Sequence, residues 1–175
     1  MRWIWIDRFV EFESGKRAVA LKNVTLAEDH LHDHFPGWPV MPNSLITEGL
    51  AQTGGLLIGE SFDFEKKVVL ARIPKAAYHF AVRPGDQLHY TTEVEYVHED
   101  GSMVRATSRV GDRVQAEMEI VYGHIGAGTS APELSEQKSF VFTMKLLGIF
   151  DVGRGANGAR AIEPPGLIRF QEKVA

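Results

Sequence analysis

The sequence predicts an α+β protein in which a curved antiparallel sheet of five to six strands wraps one long buried helix at about residues 44–58. Three observations carry this expectation. The stretch 44–58 is apolar almost all round, so it has no face suited to water. Strand-like segments rich in β-branched and aromatic residues lie on both sides of it and are separated by turn chemistry. The helix also contains Gly49, Gly54 and Gly55. Each interior glycine costs about 1 kcal/mol relative to alanine, so close approach of another backbone, such as a sheet curling around the helix, is expected there.

Residues 3–11 and 17–24 read as two strands joined by Glu13-Ser14-Gly15-Lys16. Ala18, Ala20 and Lys22 fall on one face of the second strand. Residues 25–42 are irregular, because Pro36, Pro39 and Pro42 exclude a regular helix or a central strand. This loop nonetheless carries Leu31, Phe35, Trp38, Val40 and Met41, so packing against the body is expected. Asn43 or Ser44 can cap the helix that follows. Residues 66–73 and 76–82 read as short strands split near Pro74. Arg83-Pro84-Gly85-Asp86 has the Pro-Gly centre of a type II turn. Strands at 86–98, 102–110 and 113–124 follow, with turns at Glu99-Asp100-Gly101 and Gly111-Asp112.

The chain thus divides into a domain at 1–125 and a C-terminal extension at 126–175. The extension opens on a linker-like Gly126-Ala127-Gly128-Thr129-Ser130, and a second helix is expected at 134–148. Its apolar content predicts packing on the body or on a partner.

Composition narrows the function classes. In 175 residues there is no cysteine, which excludes disulfides and thiol chemistry and suits a cytoplasmic location. No apolar run approaches the roughly 20 residues that cross a bilayer. The net charge is -4 without a basic block, so no nucleic-acid footprint is visible. Lys66, Lys67, Arg72 and Lys75 form the nearest basic cluster. They read as solvated strand ends or as a docking patch for an acidic carrier protein.

Two residues stand out chemically. His34 lies in the proline-rich loop, and Glu48 lies in the first turn expected of an otherwise apolar helix. The bland reading is a packed or solvated histidine and a glutamate favoured by the helix dipole. The chemical reading is an acid/base pair. Elimination of water needs one group to remove a proton and another to protonate the departing hydroxyl, and an imidazole and a carboxyl suit that division near neutral pH. A third component is the helix start, where backbone N–H groups at 43–45 have no intrahelical acceptor and can stabilise a developing oxyanion. A rival reading is a metal site. His30, His32 and His34 alternate, and on an extended segment three imidazoles would share one face, as zinc accepts.

The run Asp33-His34-Phe35-Pro36-Gly37-Trp38-Pro39-Val40-Met41-Pro42-Asn43, followed by Glu48-Gly49-Leu50-Ala51-Gln52, resembles the 3-hydroxyacyl-acyl-carrier-protein dehydratases of the FabZ/FabA type. Ile6-Asp7-Arg8-Phe9-Val10, Ala18–Thr25 and Val82–Leu88 resemble further segments of that family, and the likeness runs in order over about residues 4–124. It implies a hotdog fold and a homodimer or trimer of dimers, with no metal and no cofactor. The catalytic pair would be His34 and Glu48, drawn from different subunits. Asn43 and Ser44 would bind the thioester oxygen. Phe35, Met41, Leu45 and Gln52 would line an acyl tunnel reached by the phosphopantetheine arm of an acyl carrier protein, or by a coenzyme A thioester. Glutamate rather than aspartate at position 48 favours the FabZ-like dehydratase. The implied reaction converts a (3R)-3-hydroxyacyl thioester to a trans-2-enoyl thioester in fatty acid or related lipid biosynthesis.

Three features depart from the family pattern. Asn43 stands where glycine is usual, the customary N-terminal helix and its His-Arg-Tyr-Pro-Phe run are absent, and residues 126–175 extend past the usual end. They keep open a non-catalytic acyl-thioester- or carrier-binding hotdog protein, and a coenzyme A thioesterase or hydratase.

Overall fold

The computed structural model describes residues 3–62, 64, 66–125, 142–155 and 157–160. Strands β1 (Arg8–Glu13), β2 (Arg17–Asn23), β3 (Lys67–Tyr78), β4 (Gln87–Val97), β5 (Gly101–Val110), β6 (Arg113–Ile125) and β7 (Gly153–Arg154) form one sheet. Its order is β3-β6-β5-β4-β2-β1-β7. The helices are α1 (His30–Asp33), α2 (Asn43–Glu60), a helical stretch α3 at 142–146, and α4 (Ile149–Val152). The fold is the expected α+β sheet around a single long helix.

Helix α2 is enclosed because its sequence offers water almost nothing. Ile46, Leu50, Leu57 and Ile58 are fully buried, and the sheet supplies Phe9, Ala18, Ala20, Leu88, Tyr90, Val104, Met118 and Ile120 from its inner face. The strand registers put these residues opposite one another: Phe9 with Ala20, Ala20 with Tyr90, Thr92 with Ala106, and Ala106 with Met118. The helical glycines do accommodate close neighbours, but chiefly tyrosine rings rather than another backbone. A Cβ on Gly49 would sit 2.4 Å from the Tyr90 ring and 3.0 Å from the Trp5 carbonyl oxygen. One on Gly54 would sit 2.6 Å from the Tyr122 hydroxyl. That hydroxyl donates to the Ala51 carbonyl oxygen at 2.8 Å and so ties the last long strand to the helix.

Four boundaries differ from the sequence expectation, each for a local reason. Residues 3–7 are not a strand, since the Trp5 N–H and the Trp3 carbonyl bond the Gln52 side chain instead of a neighbouring strand. The segments expected at 66–73 and 76–82 are one strand through Pro74 that ends at Tyr78, so 79–82 are not strand. β3 is a sheet edge, where the missing proline N–H is tolerated, and its register shifts between Arg72 and Lys75 absorb the irregularity. Helix α2 begins at Asn43 and follows Pro42, and neither Asn43 nor Ser44 caps it through a side chain. Within the extension, the part of the expected helix at 134–141 lies outside the described residues. The remainder ends at 146, ahead of Gly148, whose φ of 73° gives a left-handed turn into α4. Met144, Leu147 and Ile149 of this segment are buried in the core, and β7 pairs parallel to β1, the one parallel pairing in an otherwise antiparallel sheet.

Gly49→Ala is expected to lower unfolding stability by about 1–3 kcal/mol through overpacking. Gly55→Ala, whose nearest neighbour would be 3.5 Å away, is expected to be neutral or stabilising by up to about 1 kcal/mol. Urea denaturation of the two variants checks the contrast.

Candidate active site

The loop that carries His34 is closed by its own backbone. The His34 N–H bonds the His30 carbonyl at 3.1 Å and extends α1 by one residue. Phe35 and Trp38 exchange N–H···O bonds of 3.0 and 2.9 Å around Gly37, whose φ of 74° only glycine adopts readily. The Val40 N–H returns to the His34 carbonyl at 2.8 Å, and the His34 Nδ1 lies 2.7 Å from the Val40 carbonyl oxygen. A carbonyl oxygen only accepts, so Nδ1 carries a proton and donates it, and in the neutral ring Nε2 holds the lone pair. The Met41 N–H docks on the Val82 carbonyl at 2.9 Å and fastens the loop to the Arg83–Asp86 turn. That turn has Gly85 at φ 99° and the Asp86 N–H on the Arg83 carbonyl at 3.0 Å.

The expectation that the whole loop packs inward holds only in part. Leu31 and Met41 are buried, whereas Phe35 and Trp38 are 55% and 56% exposed. Phe35 stacks on the His34 ring with centroids 4.2 Å apart, and the Arg83 guanidinium lies 4.0 Å over the Trp38 ring.

Glu48 sits on α2, half-buried, in the second turn rather than the first, because the helix starts at Asn43. The helix dipole is felt mainly within the first turn, so the bland dipole reading loses force. Its Oε1 accepts a 2.9 Å hydrogen bond from the Gln52 Nε2. At the helix start the Leu45 N–H already bonds the Pro42 carbonyl at 3.0 Å, so of the three N–H groups considered, those of Asn43 and Ser44 remain without an acceptor among the described residues. Asn43 and Ser44 are exposed. Asn43 is helical, and no left-handed backbone requires glycine there.

Among the residues expected to line a tunnel, Met41 is fully buried, Leu45 is half-buried against the core, Phe35 is exposed and Gln52 is half-buried. No hydrogen bond or ion pair joins His34 to Glu48 among the described residues. A cavity of about 690 Å³ lies elsewhere, between β1 and the 151–160 segment, and includes none of these residues.

The metal reading fails on local structure. Residues 30–33 are a helical turn, not an extended segment, so the three imidazoles do not share one face. His32 bonds the Leu26 carbonyl, His34 bonds Val40, and the His30 Nε2 is buried without a partner. No three His, Asp or Glu side chains converge to hold a metal among the described residues.

Sequence reasoning missed the layer behind His34. The Trp5 ring meets His30 edge-on at 5.3 Å, and buried Lys22 bonds Glu28 at 2.7 Å. Burial lowers the pKa of His30, with Lys22 and His34 adding to the effect and Glu28 and Asp29 opposing it. It also missed the Glu48/Gln52 pairing, for which the i,i+4 spacing on a helix was the available signal.

A curved sheet around a buried helix defines a hotdog-fold protein, with His34 on its closed loop and Glu48 on the helix as the candidate site residues. The family model for the FabA-like domain matches residues 3–122. The FabZ 3-hydroxyacyl-[acyl-carrier-protein] dehydratase of Caldanaerobacter subterraneus subsp. tengcongensis is 36% identical over 121 residues, covering 69% of this chain and 86% of that protein. The FabZ protein of Koribacter versatilis is 41% identical over 114 residues, covering 64% of this chain and 73% of that one. The protein belongs to the FabA-like family, in the FabZ dehydratase branch. Among solved structures, smu.793 from Streptococcus mutans, bound to acetyl CoA, superposes with a TM-score of 0.59 at 16% identity, over 72% of this chain and 94% of that one. At that identity the likeness bears on the fold alone. No helix among the described residues is long and apolar enough to cross a membrane.

The lowered pKa of His30 has a consequence for stability. The unfolded chain protonates this imidazole near pH 6.5 while the folded state resists it, so stability falls as pH drops below about 6.5. His30→Phe, which keeps the ring contact with Trp5, is expected to make the loss of Tm between about pH 7.5 and 5.5 shallower than in the parent. Thermal denaturation across that range measures it.

Proposed function

We propose that the protein removes water from a (3R)-3-hydroxyacyl thioester carried on an acyl carrier protein, giving the trans-2-enoyl thioester in fatty acid or related lipid biosynthesis. The observation that carries this reading is the His34 Nδ1–Val40 contact, which leaves the Nε2 lone pair as a base of fixed orientation. The Nε2 takes the C2 proton, and the electrons of that bond become the C2–C3 double bond as the C3–O bond breaks. The Glu48 carboxyl protonates the leaving hydroxyl, so water departs. The Asn43 and Ser44 N–H groups, without acceptors of their own, suit the thioester oxygen as charge builds on it. An asparagine side chain where the family usually has glycine then narrows the approach to this oxygen, a feature that bears on substrate choice. Phe35, Met41, Leu45 and Gln52 are proposed as the neighbourhood of the acyl chain, and the cysteine-free chain is assigned to the cytoplasm.

The same reading places the two catalytic groups of each site on different subunits of a homodimer. Two observations support a second copy. β3 is a twelve-residue edge strand with its outer side unpaired among the described residues, and Phe35 and Trp38 stand exposed beside His34. Of the basic cluster, Lys67 opens this strand and Arg72 and Lys75 lie within it.

His34→Ala and Glu48→Gln are each expected to lower the rate of enoyl formation by about 10²–10⁴-fold, followed by the absorbance of the conjugated product. The parent rate in either variant would overturn the assignment. Mixing the two inactive variants with subunit exchange is expected to restore about a quarter of the parent activity, since one of the two sites in each heterodimer then receives both intact groups. No recovery on mixing would place both groups of a site on one subunit.

A further inference from the structure

We infer that Gln52 is a positioning residue for Glu48, and that it acts as the buckle of a strap formed by the N-terminal segment Trp3–Asp7 across helix α2. The inference rests on the dehydratase reading, and it assigns Gln52 a task beyond lining the acyl chain. A carboxamide has two N–H donors and one oxygen acceptor. The Gln52 Nε2 donates to the Glu48 Oε1 at 2.9 Å and to the Trp3 carbonyl oxygen at 2.6 Å, and its Oε1 accepts the Trp5 N–H at 2.8 Å. Carboxylate and carbonyl oxygens cannot donate here, and the Trp5 N–H cannot accept, so only one orientation of the amide satisfies all three bonds. With Oε1 of Glu48 held, its Oε2, which has no partner among the described residues, is the oxygen left to face substrate.

The strap needs the glycine beside Glu48. The Trp5 carbonyl oxygen lies 3.0 Å from where a Cβ on Gly49 would stand, so the segment crosses the helix at a distance that glycine permits. Beyond the crossing, the Trp5 ring packs edge-on against His30 at 5.3 Å, and the His30 carbonyl accepts the His34 N–H at 3.1 Å. Trp3 adds an edge-on contact to Trp5 at 5.2 Å. One short segment therefore touches the element that bears the acid and the element that bears the base of the same chain.

The test uses the full-length chain and a 3-hydroxyacyl carrier-protein substrate. Gln52→Leu is expected to lower kcat by about 10–100-fold, because a carboxyl displaced by about 1 Å loses that much. KM should stay within about twofold, as an interaction that serves only the transition state predicts. Adding Gln52→Leu to Glu48→Gln should cause no further loss, since the glutamine acts through the glutamate. Gln52→Glu keeps an acceptor for the Trp5 N–H but donates to Glu48 only when its new carboxyl is protonated. Its rate relative to the parent should rise as pH is lowered from about 8 to about 6, while the ratio for Gln52→Leu stays flat. An unchanged kcat in Gln52→Leu, a raised KM alone, or an additive loss in the double variant would overturn the inference. If Gln52→Leu fails to fold by circular dichroism, a flat ratio for Gln52→Glu overturns it instead. Parent activity in Glu48→Gln alone would sink the dehydratase reading itself, which separates the two failures.

Discussion

Helix α2 is the constraint on which the rest of the structure depends. A helix apolar on nearly every side cannot remain at a surface, and the hydrophobic effect, about 25 cal/mol for each Å² of apolar area, drives the sheet to curl around it. The fit is set by its glycines. Gly49 admits the Tyr90 ring and Gly54 the Tyr122 hydroxyl, so strands β4 and β6 lie nearer the helix axis than alanine would permit. Burial pushes the pKa of both phenols up, which keeps them neutral in the core. Glu48 is carried on this enclosed rod, so the core packing and the placement of the carboxylate are one arrangement.

The histidine is held by different means. Its loop contains too many prolines for regular structure, and its backbone groups are satisfied by internal turns and by the Val82 carbonyl of the neighbouring turn. The outcome is an irregular segment that fixes the tautomer of His34 while leaving Phe35 and Trp38 outside. Rod and loop meet through the N-terminal segment, where the Trp3 and Trp5 backbone groups bond a helix side chain in place of a strand partner. The side-chain amide of Gln52 thereby makes β1 begin later than apolar alternation suggests.

The two edges of the sheet are treated differently. At one end β7 and α4 cover β1, and Met144, Leu147 and Ile149 join the core. At the other, β3 is long and has no strand on its outer side among the described residues. An open edge is a template for pairing, and β3 is the side on which the shared-site proposal rests.

Much of this was legible in the sequence because it depends on local patterning. The buried helix, its place between the second and third strands, the type II turn at Arg83–Asp86 and the hairpins of β4–β6 follow from apolar periodicity, from Gly and Pro chemistry and from strand propensity. The motif spacing of His34 and Glu48 also placed the chain in its family. Tertiary structure decided what depends on partners distant in sequence. The start of the helix moved to follow Pro42, Pro74 was absorbed because β3 is an edge, and the glycines of α2 proved to face tyrosines from β4 and β6. The alternating histidines of the loop diverged because residues 30–33 coil into a helical turn. Gln52 drew residues 3–5 out of the sheet through hydrogen bonds spanning 47 and 49 positions of sequence. Periodicity reports which face of an element is apolar, whereas the identity of the atom that satisfies a backbone N–H at that range is set only when the chain closes on itself.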